Sequence, residues 1–471
     1  MPIRRRDMTE QELLRKADAF IEANMEDIIK DIKAVVDIPS VKSEAETGAP
    51  FGREIRRALD KALEIAGRMG FKTVNCEDYL GYAELPGEKE AYIGTIAHLD
   101  VVPAGNGWNT DPYDMVVKDG YLMGRGVVDN KGPLILTYYM GKFFKDLGTP
   151  LPYSLRMMAG CDEESGMEDV EYYIHHYEEP VFLFTPDSEF PLCNGEKGCL
   201  CGNFTSGRFE DGAIMDFQGG MAHNAVADQA SAVIRANPEQ CPEADRITVT
   251  AVDGGVRIEA AGIGGHASHA EGTINAIGLI ADYLLDNSLV TKEEEKFLKV
   301  VSLLCEDYQG HGLGIQCDDG IFPPLSIIGG MIRMEDGVLK QNFDSRYPTN
   351  TTGSDLVKKL SDLGAQYGVK VTDVEDSVPF YIGVDKPEIK ACLDAGNEIR
   401  GVDGKPFTMG GGTYARHFKN AISFGTEIPA EPLPDFVGKI HTFDEGIGID
   451  RLKMSLKIYI LALYRLMQIE F

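Results

Sequence analysis

Positive charge is in short supply: 46 Lys and Arg against 75 Asp and Glu leave a formal net charge of −29 over 471 residues. A surface of that sign repels phosphate, which argues against nucleic acid or an anionic membrane as a partner. Long apolar runs are missing as well. No stretch reaches the roughly 18 apolar residues of a membrane span. The start, "MPIRRRDMTEQELL", runs into a charged amphipathic pattern rather than the apolar segment of a secretory leader. A cytoplasmic location is the expectation. Paired cysteine motifs are absent too. Nine cysteines are scattered, and Cys199 with Cys201 form a CxC without the second pair of a structural zinc knuckle. They read as reduced, buried thiols. The glycine run in "MGGGTYAR" is not followed by the Lys-Ser/Thr of a phosphate-binding loop. What remains is a globular composition, 43% hydrophobic and 26% charged, in a chain too long for one ordinary core.

Apolar residues recur at helical spacing over Gln11–Val36 and Arg53–Met69. Strand-like runs follow in "AYIGTIA", "YSLRMMAG" and "VFLFT", separated by helical stretches near Leu134–Lys145 and Met167–His176. Such alternation predicts βα units around a mostly parallel sheet, with functional groups gathered past the carboxyl ends of the strands. From about Glu196 the character changes to glycine-rich turns, period-two patches ("ITVTAV", "VRIEAAG") and helices near Asn275–Leu289 and Asp355–Tyr367. The βα style resumes with "PEIKACLDAGNEIRG", a helix stopped by Gly401, the strand "NAISFG" and a closing helix over Ile447–Met467. The expected fold class is therefore α/β: a mixed, mostly parallel sheet flanked by helices in a discontinuous domain (1–195 and 381–471), with an inserted α+β domain at 196–380. "GGMAHNAVADQASA" and "GGHASHAEGTINA" are faintly alike, a hint of two similar halves in the insert.

Metal-type ligands cluster just past the predicted strands or in glycine-punctuated turns. They are His98 and Asp100 after "AYIGTIA", Asp129 in "GRGVVDNKGP", Glu163 and Glu164 in "CDEESG", Asp187 in "FLFTPDSE" and, far away, His441 in "GKIHTFDEGIGID". Singly, each has an ordinary explanation as a satisfied polar group, an Asx turn or a solvated acid. Jointly, two imidazoles and several carboxylates at the strand ends of one sheet converge on a single rim. That donor set suits zinc, manganese or cobalt without a thiolate. Two ions roughly 3.5–4 Å apart need a bridging carboxylate, and Asp129 in its tight loop is the best candidate. Asp100, two residues from His98, is placed to accept its second ring N–H. Glu163 and Glu164 diverge, so one can bind metal while the other carries a proton.

At this point the residues resemble a known family. "HLDVVPAG", "GRGVVDNKGP", "DEESG", "DSEFP", "GGHAS…GTINA", "RYP" and "GGGTYAR" are similar to the dinuclear metallopeptidases related to aminoacylase and the glutamate carboxypeptidases. The likeness is greatest to their dipeptidase, carnosinase-like branch. The resemblance implies one metal on His98, Asp129 and Asp187 and another on Asp129, Glu164 and His441. It also implies Glu163 as general base on a metal-bridged water, Asp100 orienting His98, and His266 from the inserted lid facing the oxyanion. Asn224, Arg346 and the main chain of Gly411, Gly412 and Thr413 would contact the substrate, the arginine gripping its carboxylate bidentately. The implied activity is hydrolysis of dipeptides, with β-Ala or D-residues within range; N-acyl amino acid deacylation on the same centre and an inactive peptide-binding relative stay open. The implied cofactors are two divalent ions, zinc first, with manganese or cobalt acceptable. The insert is longer than the lids of dimerising relatives, which implies a monomer. The sequence departs from the branch at Asn130, where a second Asp is usual, at His269 and Ala270, where Glu and Pro are common, and in the wording around His441.

Overall fold

The computed structural model describes residues 8–267, 270–428 and 431–471; His269 lies outside them. The chain divides into two compact units. The first comprises Met1–Gly195, Ile382–Phe407 and Gly412–Phe471, and the second Glu196–Tyr381 with Thr408–Gly411.

In the first unit the strand Lys89–His98 lies at the middle of a sheet, parallel to Tyr153–Gly160 on one side and to Phe182–Thr185 on the other. Ala421–Ser423 extends the parallel set beyond Phe182–Thr185. Lys72–Cys76 and Leu80–Leu85 close the opposite edge in antiparallel pairing. From Tyr92 to its end the central strand is wholly buried. Two-sided burial explains why it reads as a continuous small and apolar run rather than an alternating one. Three helices pack on one another beside this sheet: Glu10–Val36, Lys131–Leu147 and Ile449–Leu466. The middle one buries apolar residues on every side, the mark of a helix inside a layer rather than on its surface. Pro387–Arg400 ends where expected, at Gly401 with φ 66°, a left-handed cap that glycine adopts without steric cost.

The second unit has an antiparallel sheet in which Gly198–Thr205 lies between Val338–Tyr347 and Lys370–Ser377. Gln229–Ile234, Ile247–Val252 and Gly255–Ala261 form its other wing. Leu200, Phe204, Ile258 and Phe343 point into one core with the helices Ala276–Asp286, Lys292–Glu306 and Gly353–Gln366. The helix Lys292–Glu306 is an addition to the sequence-based expectation. Its signal is local: Thr291 and Glu294 form a capping box that satisfies each other's backbone donors. The two faintly similar segments meet as a short antiparallel ribbon, Ala225–Val226 with Gly265–His266. Among the described residues, no helix is long and apolar enough to cross a membrane.

Candidate active site

Local structure brings the candidate ligands of the first unit together. His98 ends its buried strand, Asp162–Glu164 follow Tyr153–Gly160, and Asp187 stands two residues past Phe182–Thr185. Parallel pairing of these three strands aims all three carboxyl ends at one edge. Asp129 closes the loop that opens Lys131–Leu147, and His441 lies in the turn preceding the last helix.

His98 Nε2 is 2.8 Å from Asp129 Oδ1 and 3.7 Å from Asp187 Oδ2. His441 Nε2 is 2.9 Å from Asp129 Oδ2 and 3.2 Å from Glu164 Oε1. The two oxygens of Asp129 thus face different imidazoles. Two groups result, His98–Asp129–Asp187 and Asp129–Glu164–His441, each with donor atoms within 4.8 Å of one another and with Asp129 common to both. Glu163 belongs to neither.

Charge is concentrated here. Burial, with the field of Asp129, pushes the Asp187 carboxyl up to about 8. Burial and then Asp187 raise Glu163 well above the carboxylate range. Burial alone would raise Asp129 too, but hydrogen bonds from His441 and His98 hold it low. Its hydrogen bonds to Asp129 and Glu164 lift His441 to about 11. Burial opposes a charge on His98, yet Asp129 and Asp187 outweigh it and raise that imidazole as well.

Asp100 accepts the second ring N–H of His98 through its main chain. His98 Nδ1 donates to the main-chain carbonyl of Asp100 at 2.8 Å, while the Asp100 carboxylate stays 3.6 Å from that nitrogen. The carbonyl fixes the Nδ1–H tautomer and leaves Nε2 toward the cluster. The carboxylate instead accepts the amides of Glu163 at 3.1 Å and Glu164 at 2.9 Å. Asp100 therefore positions both glutamates as well as the histidine. Asn130 donates to Asp187 Oδ1 at 3.0 Å and to the Pro186 carbonyl at 2.8 Å. An ionised aspartate at that position has no hydrogen to donate, so the departure has a structural use here.

A second layer escapes the sequence reading. Glu445, fully buried, accepts the amides of Gly126, Val128 and Asp129 through Oε1 at 3.0–3.3 Å. Its Oε2 takes Arg125 Nη1 at 2.6 Å, and Arg125 Nη2 reaches the Thr442 carbonyl at 3.2 Å. One buried ion pair thus ties the Asp129 loop to the His441 turn. Gly126, at φ 95°, is where the loop needs glycine to turn its amide inward. Partial burial, with the charges of Asp129 and Glu189, raises Glu427 to about 7. The available signal was that Glu445 follows His441 by four residues and that Arg125 sits inside "GRG".

Thr413 spends its hydroxyl on the Ala415 amide at 3.2 Å and on Ser423 at 2.9 Å. A Cβ on Gly412 would clash with Arg416 Nη1, whereas Gly411 has open space around that position. In the second unit, His266 and Asn224 are exposed and paired, Asn224 Nδ2 donating to His266 Nε2 at 3.5 Å. The bidentate face of Arg346 is already engaged: Nε and Nη2 donate to the two oxygens of Asp344 at 2.8 and 2.9 Å. Strand alternation puts residues 344 and 346 on one face, so the expected two-pronged grip on a substrate is corrected to a single outward prong. That prong, Nη1, faces the Gly410 carbonyl at 3.4 Å.

Comparisons with known proteins identify the family. The chain is 32% identical over 460 residues to YtjP of Bacillus subtilis, named as a candidate dipeptidase, covering 94% of this chain and 97% of that one. It is 28% identical over 467 residues to the Beta-Ala-Xaa dipeptidase of Lactobacillus delbrueckii subsp. lactis, covering 95% and 98%. The solved Dug1p dipeptidase of Saccharomyces cerevisiae shares the fold, with a TM-score of 0.58 at 15% identity over 97% of this chain and 98% of that one. The model of peptidase family M20/M25/M40 matches residues 94–465, a span holding every residue of both ligand groups and Glu163, and the chain belongs to that family of peptide-bond hydrolases.

Proposed function

We propose that the chain is a metal-dependent dipeptidase that holds two divalent ions, zinc first, with manganese or cobalt acceptable to the same donors. The observation that supports this best is the pair of ligand groups sharing Asp129, with Glu163 in neither. One ion would sit on His98, Asp129 and Asp187, the other on Asp129, Glu164 and His441. The donors fit. Burial and then the repulsion of neighbouring carboxylates raise Asp187 and Glu163, and divalent charge offsets both. When bound, such ions polarise a carbonyl and bring the pKa of a water to about 7.

The remaining work falls to the chain's own side chains. Glu163, its carboxyl raised by burial, takes a proton from the attacking water and hands it to the leaving amine. General acid–base catalysis of this kind is worth about 10²–10⁴ in rate. Asp100 holds it in place through the Glu163 amide. His266 donates to the oxyanion, Asn224 and Arg346 Nη1 contact the substrate, and the main chain of Gly411–Thr413 binds its carboxylate. β-Alanyl dipeptides are the first substrates to test, given the name of one relative. The chain acts as a monomer; a stable dimer in sedimentation at low micromolar concentration contradicts that point.

The test is Glu163→Gln with metal content counted. Loss of dipeptide cleavage with both ions retained supports the proposal, and undiminished cleavage sinks it. Offering N-acetyl amino acids in competition decides the remaining choice, since their preferred cleavage makes the enzyme a deacylase.

A further inference from the structure

The second unit carries a cluster of different chemistry. In the strand Gly198–Thr205, Leu200 and Phe204 are buried in the core, which puts Cys199 and Cys201 on the opposite, partly exposed face. Register places Cys201 against Asp344 on one neighbouring strand and Glu375 on the other. The two Sγ atoms are 3.6 Å apart, and Cys201 Sγ lies 3.4 Å from Asp344 Oδ2. Two thiolates at ~2.3 Å from a tetrahedral ion stand about 3.8 Å apart, and a thiolate and a carboxylate oxygen about 3.5 Å. Both edges are therefore present to within a few tenths of an ångström. The Asp344 side chain is 3% exposed, so it is fixed rather than a mobile surface acid.

We propose that Cys199, Cys201 and Asp344 form a third cation site, for a thiophilic divalent ion of the zinc–cadmium class, with Glu375 or water as the fourth ligand. Thiolate donors set it apart from the imidazole–carboxylate groups of the first unit, which accept harder ions. Binding balances as one divalent ion taken up and two thiol protons released, so affinity rises with pH. The opposing charge is Arg346, whose Nη2 already donates to Asp344 Oδ2. An ion at that oxygen competes with the guanidinium and loosens the fork.

The test uses the full chain with its other sites filled by manganese, titrated with cadmium and followed by ultraviolet cadmium–thiolate charge-transfer absorption. The expected result is a thiolate band with the amplitude of one two-thiolate site per chain, whatever cadmium also replaces manganese in the first unit. Cys199→Ser and Cys201→Ser each weaken binding by more than about tenfold, while Cys241→Ser leaves it unchanged. Manganese-supported cleavage by Cys199→Ser at the wild-type rate shows that the variant is folded. No band with the wild-type chain at ~10 μM cadmium, a concentration that fills a site of micromolar Kd, overturns the proposal. So does a band of equal strength in the double serine variant.

Discussion

The two units hold their polar groups by different means. In the first, the candidate ligands stand at strand ends and loop closures and are fixed from behind by buried donors and acceptors: the Asp100 carbonyl on His98, the Asp100 carboxylate on two glutamate amides, Asn130 on Asp187 and Glu445 on the Asp129 loop. In the second, His266 and Asn224 are exposed with one another as partners, and Arg346 leans on its own strand neighbour. Groups that must hold a fixed geometry against strong mutual repulsion need the first arrangement. Groups that need only meet a ligand can use the second.

That contrast can be broken most sharply at Glu163. Glu163→Gln lowers kcat by about 10²–10⁴ with metal content unchanged, read by steady-state kinetics beside elemental analysis. An equal loss in Asn224→Ala would erase the distinction between the units. Next is the buried pair behind the ligands. Arg125→Met leaves Glu445 uncompensated and costs about 3–5 kcal/mol, measured by urea denaturation. It also weakens metal retention, because the Asp129 loop and the His441 turn lose their tie.

A third prediction is a pH effect in the first unit. Burial, with the nearby Arg416 charge, pushes His417 from an ordinary 6.5 down to about 4. A histidine lowered on folding contributes stability above pH 6.5 that is lost as pH falls toward 4, because the unfolded chain takes up the proton first. Over that interval the wild type should lose about 1–3 kcal/mol more than His417→Gln, a range reduced for its partial exposure. Parallel denaturation curves for the two proteins contradict it. The smallest effect belongs to the second unit. Thr291→Ala removes the capping box of Lys292–Glu306 and costs about 1 kcal/mol with kcat unchanged.

Legibility follows the range of the interaction. The α/β class, the buried strands and the strand-end positions of His98 and Asp187 are local pattern, and the sequence carries them. The helix Lys292–Glu306 is equally local, since "TKEE" holds its capping box, but its glutamates mask the apolar stripe. The link of Asp100 to His98 is local and legible, but the partners of its carboxylate, the Glu163 and Glu164 amides, lie 63 and 64 residues away. Arg125 and Glu445 meet across 320 residues, and no periodicity reports such a contact. Arg346 shows the opposite limit: Asp344, only two residues back, shares its strand face by alternation and occupies the fork.

The most direct measurement is dipeptide hydrolysis by chelator-stripped protein restored with manganese, an ion that leaves thiolates aside, with bound metal counted. The account predicts that cleavage is lost on stripping and returns as occupancy reaches two ions per chain. Cleavage that survives metal removal, or a chain that takes up two ions and leaves dipeptides intact, would contradict it.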